Sequence, residues 1–148
     1  MNDDIIVNKI ETIRRCLNRI EEEYNGYESE LESNYTKQDS IILNLERAAQ
    51  ASIDLSTHII RINRLGVPKT SRDVFTLLQS NKTITLKTAE QMKKMVGFRN
   101  IAVHDYQNIA IDIVRNIIEN NLIDFECFIT EICSLLVPRL PRGNADRA

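Results

Sequence analysis

Turn-forming residues are scarce: four glycines and three prolines in 148 residues, with no tryptophan and only 5% aromatics. So few turn formers argue against a sandwich or barrel of many short strands, and so few rings point to an aliphatic, helical core. No uninterrupted apolar run approaches the ~20 residues of a membrane span. The N-terminus, MNDDIIVNKIE, carries acids where a secretory signal needs bases before an apolar stretch. An intracellular, cytoplasmic protein without membrane contact is expected. The cysteines, Cys16, Cys127 and Cys133, form no CxxC pair, and an odd number cannot all pair within one chain. Free, buried thiols in a reducing compartment are the expectation. Also missing are GxxxxGK[ST], GxGxxG, HExxH and GxSxG, which removes P-loop, Rossmann, zincin and serine-hydrolase chemistry. With two histidines and no carboxylate cluster around either, no metal site is expected.

What is present suits one domain with one core: 43% hydrophobic and 27% charged residues with a net charge of -2. That small total conceals an uneven distribution. Residues 1–40 hold ten acids against five bases, residues 61–99 hold nine bases against two acids, and residues 100–136 are acidic again. A basic middle third can attract a polyanion although the whole chain is not basic, whereas the plainer alternative is a set of solvated lysines on helix surfaces.

Apolar residues recur at three- and four-residue steps through most of the chain, the period of amphipathic helices. Ile6, Ile10, Ile13, Leu17, Ile20 and Tyr24 form the first stripe. The acidic segment EEEYNGYESELESNYTKQ then reads as a solvated extension or linker. A second helix is expected from an N-cap at Asp39 or Ser40 to Gly66, with Ile41, Ile42, Leu45, Ala48, Ala49, Leu55, Ile59 and Ile62 inward. Thr70-Ser-Arg-Asp73 opens a short helix bearing Val74, Phe75, Leu77 and Leu78. Leu86, Ala89, Met92, Met95 and Val96 mark the next, Ile109, Ile113, Ile117 and Ile118 another, and Leu122, Phe125, Phe128, Ile129, Ile132 and Leu135 the last. The expected architecture is an all-α, antiparallel up-and-down bundle of five to six helices over residues 1–136, with 137–148 as a flexible tail.

Two polar constellations interrupt this pattern. Asp54 and His58 stand four apart on the second helix, where the carboxylate can orient the ring, although a plain surface or interface pair has the same spacing. The sharper group is Arg99, Asn100, His104 and Tyr106, crowded among Phe98, Ile101, Ala102 and Val103. If one helix runs through the segment, Asn100 and His104 stack, Arg99 and Tyr106 align, and Arg99 lies about 140° from His104. One helix therefore does not converge Arg99 and His104, but a long guanidinium, or two copies meeting at a dimer axis, can. The alternative is a buried polar network that only stabilises the bundle.

The string Arg99-Asn-Ile-Ala-Val-His104-Asp-Tyr106, with its GFRN lead-in, resembles the R-x4-H-x-Y motif of the HEPN superfamily, specifically its HepT-like toxins paired with minimal nucleotidyltransferase antitoxins. LERAAQASIDLSTHII, the GVPKTSRDVF connection and the closing Phe-rich helix follow in the same order, extending the resemblance over roughly residues 5–135.

That resemblance implies a helical homodimer that cuts RNA without metal, the toxin of a type VII-like toxin–antitoxin system. It implies Arg99 and His104 as catalytic residues and Asn100 as a substrate-positioning one. It implies that the cognate nucleotidyltransferase forms a hetero-oligomer with the toxin and silences it by transferring AMP to Tyr106. The ATP and Mg²⁺ belong to that partner, and this chain needs no cofactor. No Gly-Ser followed by a paired-Asp motif is present to make this chain the nucleotidyltransferase itself. The competing reading is a non-catalytic RNA- or nucleotide-binding helical dimer that scaffolds such a partner.

Overall fold

The longest apolar stripes set the first layer. In a computed structural model, which describes residues 3–136, α1 (Asp4–Tyr24) and α2 (Tyr35–Asn63) lie side by side. Every residue of the expected first stripe is buried in α1, together with Cys16. Along α2 the buried set runs from Ile41 to Ile60, and it includes the small residues Ala48, Ala49, Ala51 and Ser52, which let the helices approach closely. The pair is antiparallel: His58 bonds Asp3 (2.9 Å) and Lys9 bonds Asp54 (3.3 Å) at one end, and Lys37 reaches Glu23 (3.1 Å) at the other.

The acidic segment between them is folded, which differs from the linker expected there. Leu31 is buried, Arg115 donates to the Glu28 carbonyl (3.0 Å) and the Glu32 carboxylate (2.6 Å), and Gln38 Nε2 caps the Leu31 carbonyl (2.7 Å). Helix α2 consequently begins a turn earlier than Asp39 or Ser40. Its N-cap is Asn34, whose side-chain oxygen accepts from the Lys37 N–H (3.0 Å). At the far end Arg64 takes a left-handed conformation (φ 53°), so the helix stops at Asn63, short of the Gly66 expected. Gly66 itself sits at φ 141°, and a Cβ there would stand 2.9 Å from Leu77, which makes glycine the residue that admits the turn.

Four shorter helices complete the bundle: α3 (Asp73–Ser80), α4 (Leu86–His104), α5 (Ile111–Asn120) and α6 (Leu122–Leu136). Helix α4 packs on α2, α3 and α6, and α6 also reaches α1. Phe75 of α3 meets Phe128 of α6 edge to face at 5.8 Å. Two positions depart from the expected stripes: Leu86 and Ile113 are exposed, and Val114 takes the core position in α5. Of the three thiols only Cys16 is buried, where desolvation raises its pKa, while Cys127 is exposed and Cys133 is partly so. The all-α reading holds, with six helices and no strand among the described residues. The expected tail, 137–148, lies outside them.

Candidate active site

Helix α4 starts where the Thr85 hydroxyl accepts from the Thr88 N–H (3.1 Å), and it buries Ala89, Met92, Met95, Val96, Phe98 and Ala102. Its last turns are different. Ile101 and Val103 are 44% and 47% exposed, so the apolar neighbours expected to bury the motif do so only through Phe98 and Ala102. His104 is the final residue, and Asp105 leaves helical geometry (φ -149°, ψ 46°) after its N–H closes the last bond to the Ile101 carbonyl (2.8 Å). Tyr106–Asn108 then form a single 3₁₀ turn, held by Asn108 Nδ2 donating to the Asp105 carboxylate (2.8 Å). The α-helix thus does not carry Arg99 and Tyr106 onto one stripe, because it has already ended.

The motif side chains divide into held and free. Arg99 is partly buried and donates from Nη2 to Ser71 Oγ (2.9 Å), whereas its Nε is buried with no hydrogen-bond partner. Neither Asn100 nor His104 makes a side-chain hydrogen bond among the described residues, and His104 is exposed. Arg99 and His104 stay about 140° apart around α4, so one chain does not bring them together. The Tyr106 hydroxyl donates to the carboxylate of Asp39, far away in sequence on α2. Partial burial, and then this acceptor, push the Tyr106 pKa up to about 12. The phenol is nonetheless 42% exposed and accessible to a second protein.

The second constellation dissolves in the structure. His58 Nε2 bonds both oxygens of Asp3 (2.9 and 3.0 Å), and Asp54 is occupied by Lys9 and by Gln50 (2.9 Å), so the four-residue pair does not form. Asp3 itself accepts from the Ile6 N–H (3.1 Å). Desolvation opposes its ionisation, but the His58 and Ile6 hydrogen bonds outweigh it and hold the carboxyl below its usual range. These residues fasten the start of α1 to the end of α2. Sequence reasoning missed Ser71 and Asp39 as partners of the motif, since both contacts join residues remote in the chain and leave no local periodicity. Among the described residues no three His, Cys, Asp or Glu side chains gather as metal ligands would, and no helix is long and apolar enough to cross a membrane.

A partly buried Arg99, an exposed His104 ending α4 and a reachable Tyr106 just beyond it make up the candidate site of an all-α domain. The chain belongs to the HepT-like ribonuclease family: the model described as Ribonuclease HepT-like matches residues 13–132. It is 52% identical over 130 residues to the mRNA nuclease HepT of Shewanella oneidensis, covering 88% of this chain and 97% of that protein. Among solved structures, it is similar to a toxin–antitoxin crystal structure with AMP-PNP at a TM-score of 0.86, with 49% identity over 89% of this chain and 99% of that one. It is likewise similar to the tri-AMPylated HEPN toxin of Shewanella oneidensis in complex with its MNT antitoxin, at a TM-score of 0.85 and 50% identity over 90% of this chain and 99% of that one.

Proposed function

We propose that this chain is the ribonuclease toxin of a toxin–antitoxin pair, cutting RNA as a homodimer without metal and silenced by AMP transfer. The observation that carries this reading is the Arg99…His104-x-Tyr106 segment, presented on the surface at the end of α4 in a chain of the HepT-like ribonuclease family.

Metal-free RNA cleavage needs a base for the 2′-OH, an acid for the departing 5′-oxygen and a cation for the charge that gathers on phosphorus. His104 carries the proton chemistry. Because one imidazole serves poorly as both base and acid, a second His104 across a two-fold axis takes the complementary role. The uncovered Ile101 and Val103 beside it favour such a meeting of two copies. Arg99, planar and permanently charged, grips the scissile phosphate, and Asn100 positions it. The excess of bases over 61–99 draws in the RNA backbone.

Regulation falls to a cognate nucleotidyltransferase, which brings its own ATP and Mg²⁺ and joins the toxin in a hetero-oligomer. The Tyr106 oxygen bonds the α-phosphorus of ATP, pyrophosphate leaves, and the phenolic proton is released. An adenylate two residues from His104 puts bulk and negative charge where the RNA phosphate sits. The cytoplasm, where both RNA and ATP are found, is the proposed location.

The test is cleavage of total RNA by the purified protein with Arg99→Ala and His104→Ala beside it, in the presence and absence of chelator. Loss of cleavage in both variants with retained helicity, and indifference to chelator, supports the assignment. Binding without cleavage by the unmodified protein favours the scaffold reading instead. Mass spectrometry after incubation with the nucleotidyltransferase and ATP should place AMP on Tyr106, and an adduct confined to Tyr24, Tyr27 or Tyr35 overturns that part.

A further inference from the structure

The connection between α2 and α3 carries more than a turn requires. The Lys69 N–H donates to the Asp73 carboxylate (2.9 Å) and the Asp73 N–H donates to the Thr70 hydroxyl (3.2 Å), so the residues between are held in one conformation. From this turn two side chains reach α4. Ser71 Oγ accepts from Arg99, and the Arg72 guanidinium lies across Gly97, so close that a Cβ there would stand 2.9 Å from Arg72 Nη2. Glycine inside a helix is unfavourable relative to alanine. Here the space it leaves is filled by an arginine from another element.

The position of Gly97 decides what that arginine is for. Seven residues separate it from His104, which places the two about 20° apart around α4 and about 10 Å apart along its axis. Arg99 is on a different side of the helix. Arg72 therefore places a cation against the stripe of α4 that ends in His104. Among the described residues no carboxylate forms an ion pair with Arg72 or with Arg99. Arg72 is also exposed, so its charge remains available to a ligand.

We propose that Arg72 is a substrate-binding residue that takes an RNA backbone phosphate next to the one cleaved at His104, and that Ser71 is a positioning residue that aims Arg99. Gly97, against which Arg72 lies, stands about 10 Å along the helix from His104, which favours a neighbouring phosphate over the scissile one for Arg72. This rests on the ribonuclease reading above.

The test uses the full chain with His104→Ala, so that a fluorescein-labelled single-stranded RNA oligonucleotide is bound but not cut. Titrations run from about 50 to about 200 mM salt. Arg72→Gln should weaken binding several-fold and flatten the dependence of log Kd on log salt by about 0.7, one phosphate contact on a single strand. Arg72→Lys should keep that slope with a smaller loss of affinity, and Gly97→Ala, which displaces the guanidinium without removing it, should reproduce part of the Gln effect. With His104 intact, Arg72→Gln should raise KM and leave kcat within about twofold, whereas Ser71→Ala should lower kcat and Ser71→Thr should restore it. An unchanged salt slope, with or without a lower melting temperature, overturns the proposal and reduces Arg72 to a buttress of α4. If the unmodified protein cuts no RNA, the ribonuclease reading fails, while the salt slope still decides whether Arg72 holds RNA.

Discussion

The α1–α2 pair and the end of α4 are built from the same kind of helix and serve opposite ends. Along α1 every stripe residue from Ile6 to Tyr24 is buried, and polar groups fasten the pair to α2 at both ends. Helix α4 begins in the same way, with Ala89, Met92, Met95 and Val96 inside, but its last turns leave Ile101, Val103 and His104 outside. The Arg99…His104 segment stands among these uncovered residues, and Leu86 at the opposite end of α4 is exposed as well. The candidate segment coincides with a break in the packing pattern rather than with a cavity. Two concavities, one lined by Lys82, Thr85 and Glu131 and the other by Asn18, Glu21 and Asn25, include none of the motif residues.

The strongest challenge to this contrast substitutes one residue from each region. Phe128→Ala should cost about 3–5 kcal/mol of stability, because a ring buried against Phe75 leaves a cavity. His104→Ala, at an exposed helix end, should change stability by less than about 0.5 kcal/mol while lowering RNA cleavage by a factor of about 10² to 10⁴. Thermal melts and a cleavage assay on both variants check the pair, and a destabilised His104→Ala would merge the two regions into one structural class.

Asn34→Ala should cost about 1 kcal/mol in chemical denaturation by removing the N-cap of α2. The same substitution tests whether the acidic segment belongs to the bundle. A linker would tolerate it without effect.

Tyr106 offers a finer probe of the α4 end. Its phenol should deprotonate at about 12 in an ultraviolet titration, and Asp39→Asn should bring that value down toward the ordinary 10. Since the folded pKa is the raised one, the contribution of this contact to stability is complete below pH 10 and disappears as pH climbs toward 12. Tyr106→Phe should remain active in RNA cleavage yet escape silencing by the nucleotidyltransferase.

The smallest effect belongs to the opposite end of the α1–α2 pair. Asp3 has a lowered folded pKa, so its contribution is present above the ordinary 3.8 of a free aspartate and is lost as pH falls below it. Asp3→Asn should remove a shallow part of the acid limb of the stability curve, and an unchanged acid limb would show that His58 is fastened by something else.

Helical periodicity by itself determined an all-α bundle of five to six helices and the buried faces of α1, α2 and α6, because side chains at three- and four-residue steps share a face whatever they pack against. Residue type and spacing also drew attention to Arg99, Asn100, His104 and Tyr106, four polar groups inside an apolar run, while leaving a stabilising network open as the alternative. Tertiary structure decided the remainder. It drew the acidic segment into the fold through Leu31 and Arg115, separated Asp54 from His58 by offering each a nearer partner, ended α4 at His104, set Ser71 and Arg72 against α4, and bonded Tyr106 to Asp39. All of these are contacts between residues remote in the chain. Their energies depend on which surfaces the packed helices bring together, and a local pattern carries no record of that.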